Sequence, residues 1–199
     1  MDAPVLTTEL ESINIMLSLL GEAPVNSLAP PFIADVANCK RILLEVSKAT
    51  QAEGWQFNEQ REYTLTPNVD GEIVLPPNCV SVDVDTDSSV DVVFRAGKLF
   101  DLKTNSYTFT GPLVAELTFL FPFDELPETV RQYVLIRAAR RLQERYVGSD
   151  AQDEFFAGDE VRARVVMCRD QASSADLNIL NDPNLAYMTR RWSPRRYRN

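Results

Sequence analysis

Apolar positions near the start of the chain recur every three or four residues. Leu10, Ile13, Leu17 and Leu20 form one stripe and predict a helix over 7–20. Thr7 or Thr8 suits the N-cap, and Glu11 lies three residues after Thr8, the spacing of a capping box. Gly21 supplies a left-handed position past the end, Pro24 blocks continuation, and Pro30-Pro31 marks a linker. A second helix is predicted over 33–53. Val36, Leu43 and Val46 track one side with Cys39 or Lys40 and Ala49 or Thr50, and Ile42 lies beside them. Gly54 stops it. Trp55 and Phe57 then alternate with Gln56 and Asn58, so the period switches to that of a strand.

Residues 60–121 read as β-structure. Arg61–Thr66 alternates, and Ile73-Val74-Leu75 precedes Pro76-Pro77. Val80–Asp85 alternates throughout, and Val90–Phe94 follows after a polar turn at Thr86–Ser89. Lys98–Leu102 and Tyr107–Thr110 read as short strands. Leu113–Phe121 is the last, with Leu117, Phe119 and Phe121 on one face. Short strands separated by turn signals predict antiparallel pairing.

Helical spacing returns at Pro127, a residue suited to the first helical turn, followed by Glu128. Val130, Val134, Ala138 or Arg137, Leu142 or Arg141, and Tyr146 or Arg145 define a face that ends at Gly148. Ser149-Asp150-Ala151-Gln152 has capping-box spacing and opens a fourth helix running to about 175, which carries Phe155, Phe156, Val161, Val165 and Val166. Residues after Asp176 read as irregular. The predicted fold class is α+β, a bundle of about four helices with an antiparallel β-domain inserted between the second and third. The bundle takes residues 1–58 and 124–176, the inserted β-domain 59–123, and an extended C-terminal arm 177–199.

The 199 residues suit one domain, or one with an insertion, and are enough to bury a core without disulfide or metal. Five arginines and no acid lie in 187–199, so removing that segment takes the net charge from −9 to −14. An acidic body argues against ordinary DNA binding, which draws on Lys and Arg at phosphates. The three cysteines, Cys39, Cys79 and Cys168, fit no metal spacing and read as free thiols of a reducing cytoplasm. No apolar run reaches the length of a membrane span. Ile13–Leu20 follows Glu9 and Glu11 rather than a basic region, unlike a signal peptide.

No catalytic motif stands out. The chain has no His, which removes Ser-His-Asp and Cys-His catalysis, and it has neither S-x-x-K nor a glycine-rich phosphate loop. Asp83, Asp85, Asp87 and Asp91 match positions 1, 3, 5 and 9 of an EF-hand loop. Ser88 stands where that loop needs Gly and Phe94 where it needs Glu, so a solvated hairpin face is the simpler reading. Acid pairs such as Asp124 with Glu125, or Asp159 with Glu160, are the raw material of a glycosidase, but 29 acids make such neighbours common. No cofactor and no metal are implied.

Arg131, Arg137, Arg140, Arg141 and Arg145 crowd the third helix, and Arg137, Arg141 and Arg145 share one stripe. Two readings stand: a solvated face paired with Glu144 and neighbouring acids, or a subunit interface where the stripe meets the acidic surface of the next copy. The segment after 186 carries Tyr187, Trp192 and Tyr197 among Arg190, Arg191, Arg195, Arg196 and Arg198. Disordered tails are poor in aromatics, whereas Arg, Trp and Tyr are enriched at interface hot spots. The segment is read as a docking arm for a partner, with single-stranded nucleic acid as the alternative.

Several of these stretches carry a family likeness. Gly21-Glu22-Ala23-Pro24-Val25 with Leu28, Ala37–Leu43, Gly54-Trp55-Gln56-Phe57-Asn58 and Asp124-Glu125-Leu126-Pro127-Glu128 resemble the tail tubular protein A family, the adaptors or gatekeepers of T7-type short-tailed phages. The resemblance covers residues 8 to about 172. It implies a virion protein assembled in the host cytoplasm into a ring, usually a dodecamer, that joins the portal to the tail nozzle protein. Tail fibres would dock around the junction and genomic DNA would pass through the centre without sequence-specific binding. The arm, with Tyr187, Arg190, Arg191, Trp192, Arg195, Arg196, Tyr197 and Arg198, is then expected to dock on the portal. The resemblance implies a non-enzyme with no membrane anchor. The alternative is an adaptor that also hydrolyses polysaccharide or peptidoglycan through carboxylates, and a basic-tailed DNA-binding protein is a third reading.

Overall fold

The computed structural model describes residues 5–30, 33–84, 90–146, 148 and 150–174, and in the last stretch the side chains from 156 onward. Its fold is α+β. Among the described residues there are four α-helices: α1 (Glu9–Leu19), α2 (Ala34–Gln51), α3 (Glu128–Tyr146) and α4 (Asp150–Ser174). Between α2 and α3 run β1 (Glu59–Leu65), β2 (Cys79–Val84), β3 (Val92–Arg95), β4 (Lys98–Asp101) and β5 (Leu113–Phe119), then a short 3-10 turn at Phe123–Glu125. The β-region thus lies where the change of period placed it.

β1, β5 and β2 form one antiparallel sheet in that order, and β3 pairs with β4 as a separate ribbon. Residues 73–75 and 107–110 do not form strands. They contribute single bridges, Val74 with Lys98 and Glu72 with Thr108. Pro76-Pro77 follows the first, and Pro has no N–H for a ladder. In the second, the Ser106 hydroxyl accepts from the Thr108 backbone N–H at 3.0 Å, which pulls the chain into a local turn.

Helix starts and stops follow the sequence closely. The Thr8 hydroxyl accepts from the Glu11 N–H at 3.1 Å, so Thr8 rather than Thr7 is the cap. Gly21, Gly54 and Gly148 all have positive φ after α1, α2 and α3 respectively. On α2 the inward positions are Cys39 and Thr50 rather than Lys40 and Ala49. On α3 they are Val130, Val134, Ala138 and Leu142, with Arg137 and Arg141 to the side. Ser149, the expected cap of α4, lies outside the described residues.

Two apolar clusters result. One joins α1, α2 and α3 through Ile13, Met16, Ile42, Val46, Val130, Val134 and Leu142, with Met167 contributed by α4. The other fills the β-region with Leu65, Ile73, Leu75, Leu99, Phe109, Ala115 and Leu117.

Two buried amides tie these clusters together. Asn58 is 2% exposed, and its Nδ2 donates to the carbonyls of Gln51 and Phe119, each at 2.8 Å. Its Oδ1 accepts from the Trp55 N–H at 2.8 Å, and its own carbonyl accepts from the Phe119 N–H at 2.8 Å. Gln51, 1% exposed, works one turn earlier. Its Nε2 donates to the Phe121 carbonyl at 3.1 Å and to the Ser47 hydroxyl at 3.0 Å, while its Oε1 accepts from the Phe121 N–H at 2.8 Å. The end of α2, the start of β1 and the end of β5 are held at one point, with the amide valences filled.

A second tie holds the N-terminal segment and the 3-10 turn to α3. Arg131 is 5% exposed, and its Nε donates to the Leu126 carbonyl at 2.7 Å and its Nη1 to the Thr7 carbonyl at 2.8 Å, while Nη2 donates to the Asp124 carbonyl. Glu128 accepts from the Thr7 backbone N–H at 2.9 Å and from the Thr7 hydroxyl at 2.6 Å. Burial raises the Glu128 pKa, but hydrogen bonds from Thr7 and Gln132 outweigh it and hold the carboxyl below its ordinary 4.5.

Two predictions follow from these ties. Asn58→Ala takes their side-chain partner from the Phe119 carbonyl and the Trp55 N–H and leaves the Gln51 carbonyl only the Gly54 N–H at 3.2 Å, a loss of about 3 kcal/mol at about 1–3 kcal/mol per orphaned group. Urea unfolding checks this, and a loss under about 1 kcal/mol would show that the junction is held by something else. A folded-state pKa below the unfolded one stabilises only while the carboxyl is ionised. The Glu128 contribution is therefore complete above about pH 4.5 and vanishes as pH falls through its lower folded value. Glu128→Gln should lower the urea midpoint at neutral pH and leave a shallower decline in acid; an unchanged acid limb would assign that decline to other groups.

Candidate functional site

The described surface offers few groups arranged for chemistry. No group of three or more His, Cys, Asp and Glu among the described residues is placed to hold a metal ion. Of the EF-hand-like aspartates, Asp83 lies on β2 opposite Glu116 of β5, and the Asp91 N–H donates to Asp101 Oδ1 at 3.3 Å just before β3. Asp85 and Asp87 lie outside the described residues. The flanks are strands, as the sequence indicated.

Of the two acid pairs weighed for hydrolysis, Asp124, Asp159 and Glu160 have structural partners and Glu125 is exposed. Asp124 Oδ1 accepts from the Glu9 N–H at 2.8 Å, at the start of α1, where a negative charge is favoured. Asp159 pairs with Arg162 at 2.5 Å, and Glu160 pairs with Arg137 at 3.6 Å and Arg140 at 3.1 Å. The carboxyls whose pKa is displaced move downward: Glu45 through its hydrogen bond from Arg145, Asp101 through the Thr104 hydroxyl, and Glu128 as above. A general acid for glycoside cleavage needs the opposite shift.

The thiols split by position. Cys39 and Cys79 are buried and Cys168 is exposed, all three free. Burial, helped by Asp35, pushes the Cys39 thiol up to about 11, so it stays protonated and inert at neutral pH.

The α3 arginines are woven into their own chain. Arg141 Nη1 lies 2.9 Å from Glu45 Oε1, and Arg145 grips both Glu45 oxygens at 3.0 and 3.1 Å. Arg137 meets Glu53 at 3.7 Å as well as Glu160, and donates to the Tyr133 hydroxyl at 2.9 Å. Arg140 pairs with Glu144 at 3.2 Å, the pair read from the sequence. The stripe at Arg137, Arg141 and Arg145 therefore braces α3 against α2 and α4.

Sequence reasoning missed the centre of this network. Tyr133, 1% exposed, also accepts from Arg164 Nη1 of α4 at 3.1 Å. Arg164 Nη2 binds Glu53 at 2.7 Å, and its guanidinium lies 5.6 Å from the Trp55 ring. The hydrogen bond to Glu53, then that to Tyr133, raises the Arg164 pKa. Trp55 and Glu53 flank Gly54, so this contact was encoded in the Gly54-Trp55 signature without being visible there.

α4 also sits differently from its apolar spacing. Met167 and Gln171 face inward, at 0% and 7% exposed, whereas Val161, Val165 and Val166 face out. Three inward positions at 163, 167 and 171 compete with the valine spacing, and only Met167 among them is a large hydrophobe. The arm residues Tyr187, Arg190, Arg191, Trp192, Arg195, Arg196, Tyr197 and Arg198 lie outside the described residues. No helix among the described residues is long and apolar enough to cross a membrane.

Curated proteins include no significant match to the chain. The family model described as tail tubular protein matches residues 10–177, which spans the bundle, the β-region and all of α4. The chain therefore belongs to the tail tubular protein family, structural tail proteins of short-tailed phages.

Proposed function

We propose that this protein is the adaptor subunit of the tail, a ring component that joins the portal to the tail nozzle protein. The observation that carries the reading is the family match over residues 10–177, which takes in nearly all the described residues. Three further features support it. The body outside 187–199 is strongly acidic, and a ring of such subunits presents a channel that repels phosphates and lets DNA slide. Arg137, Arg141 and Arg145 of α3 and Arg164 of α4 are committed to bracing, which suits a part that transmits load. Of the acids weighed for hydrolysis, Asp124, Asp159 and Glu160 are engaged in a helix-end contact and ion pairs, which favours the adaptor reading over the hydrolytic one.

In this reading the ring is a dodecamer, tail fibres dock around it, and the subunits are made in the host cytoplasm before joining the virion tail. The segment 177–199 is the docking arm for the portal, with Trp192, Tyr187 and Tyr197 as anchors among the arginines. The α3 arginine stripe braces the subunit, and the ring contact falls on other faces.

Electron microscopy of the protein mixed with its phage's portal tests the proposal. The full-length chain is expected to add a ring to the portal, and a chain ending at residue 176 to leave it bare. Rings with both would remove the docking role of the arm. Rings with neither would sink the adaptor reading.

A further inference from the structure

The ring reading leaves open which faces meet, and two exposed helical faces of this chain are complementary. The first is the outer face of α4. Val161, Val165 and Val166 are 63%, 61% and 56% exposed, with the exposed Arg162, which also pairs with Asp159 on its own helix at 2.5 Å, and Arg169 among them. At 100° per residue these five side chains share one side of the helix, opposite Met167 and Gln171. A β-branched residue on an exposed helical face is a poorer helix former than Ala and gains nothing from water. Three of them on one face make a patch suited to burial against protein.

The second is the outer face of α1. Ile15 is 42% exposed and lies beside the half-buried Leu10 in a shallow depression of about 420 Å³ that also takes in Thr8, Glu11, Asn14 and Ser18. Its charges are all negative. Glu11 lines the depression and Glu22 follows α1 exposed, whereas Glu9 is turned to the other side of the helix, 3.5 Å from Lys40.

The two faces point in different directions. α1 sits over Glu128, Arg131 and Gln132 of α3, through Thr7 and the segment leading into it. α4 sits over Thr129, Tyr133, Arg137 and Arg140, which lie well around the helix from those three. A single copy cannot bring its own α1 and α4 faces together. Two copies can, and a contact between unlike faces repeats head-to-tail until it closes.

We propose that the α4 face of one copy seats on the α1 face of the next. The three valines cover Ile15 and Leu10, while Arg162 and Arg169 meet Glu11 and Glu22. This rests on the ring reading above and names the partner as a second copy of this chain. The charge pairs set the register and the order of the faces, and the apolar contact supplies the area.

Paired charge reversals test it on the portal template. One variant carries Arg162→Glu with Arg169→Glu, the other Glu11→Arg with Glu22→Arg. All four positions are exposed, and circular dichroism checks that each variant folds. Alone, each variant opposes like charges at every contact and should lose its rings. An equimolar mixture restores opposite charges at each alternating contact and should recover them. Rings from either variant alone at the wild-type level, or no recovery in the mixture of folded variants, would overturn the pairing while leaving the adaptor reading intact. Absence of rings with the wild-type chain would overturn both.

Discussion

The architecture depends on a single crossing point, where the chain leaves the helical bundle for the β-region and comes back. Asn58 and Gln51 satisfy each other's neighbourhood there, and both are buried with filled hydrogen-bond valences. An inserted unit joined by two strands would otherwise swing on its connections. Here the first connection (Trp55–Asn58) and the second (Phe119–Phe121) bond to each other and to the last turn of α2. Because amide groups are neutral, this costs no buried charge, and because each donor has an acceptor, it costs no orphaned group. Trp55 extends the junction outward through its indole N–H to the Thr50 carbonyl at 2.7 Å and its ring under Arg164. Position of the β-region and position of α4 are thereby set from the same few residues.

Charge plays a second, separate part. The third helix looks from its sequence like a basic surface, yet its arginines end on Glu45, Glu53, Glu144 and Glu160 or on backbone carbonyls. Exposed pairs of this kind contribute little each, but these form a network that spans α2, α3 and α4 and includes the buried Tyr133 hydroxyl. The strong polar groups of the bundle thus fix its shape. On the outer face of α4, by contrast, Val161, Val165 and Val166 stand exposed.

The fold was legible in the sequence where local rules govern. Thr8 and Gly21 bound α1, Gly54 bounds α2 and Gly148 bounds α3, because capping and positive φ are decided within a few residues. The antiparallel region between α2 and α3 followed from the change of period. Strands at 73–75 and 107–110 were not distinguishable from bridged loops, since the difference lies in whether a partner runs alongside. Long-range polar contacts were invisible for the same reason: nothing about Asn58 says that its partner lies at Phe119, and nothing about Arg131 says that it reaches Thr7. The family likeness did carry Asn58 and Trp55 within its signature, so the junction was marked as important before its geometry explained why. The orientation of α4 was not legible from its valines, because a helix with one flank packed obeys the packed flank, here Met167 and Gln171.

The sheet shows which contacts this chain avoids. β1 and β2 are the edges of the three-stranded sheet, and both are bulged, β1 between Gln60 and Tyr63 and β2 between Cys79 and Ser81. Glu62 takes a φ of 55° at the first bulge, and charged Arg61, Glu59 and Glu116 crowd the same edge. Bulges and charges at an edge discourage a strand from another copy from adding to the ladder. Strand addition can slip in register by two residues at little cost, so an open edge would let copies of the chain meet in more than one arrangement. The blunted edges of β1 and β2 work against that route. Under the pairing proposed above, association would pass instead to helical faces, which specify a partner by shape and by the placement of a few charges.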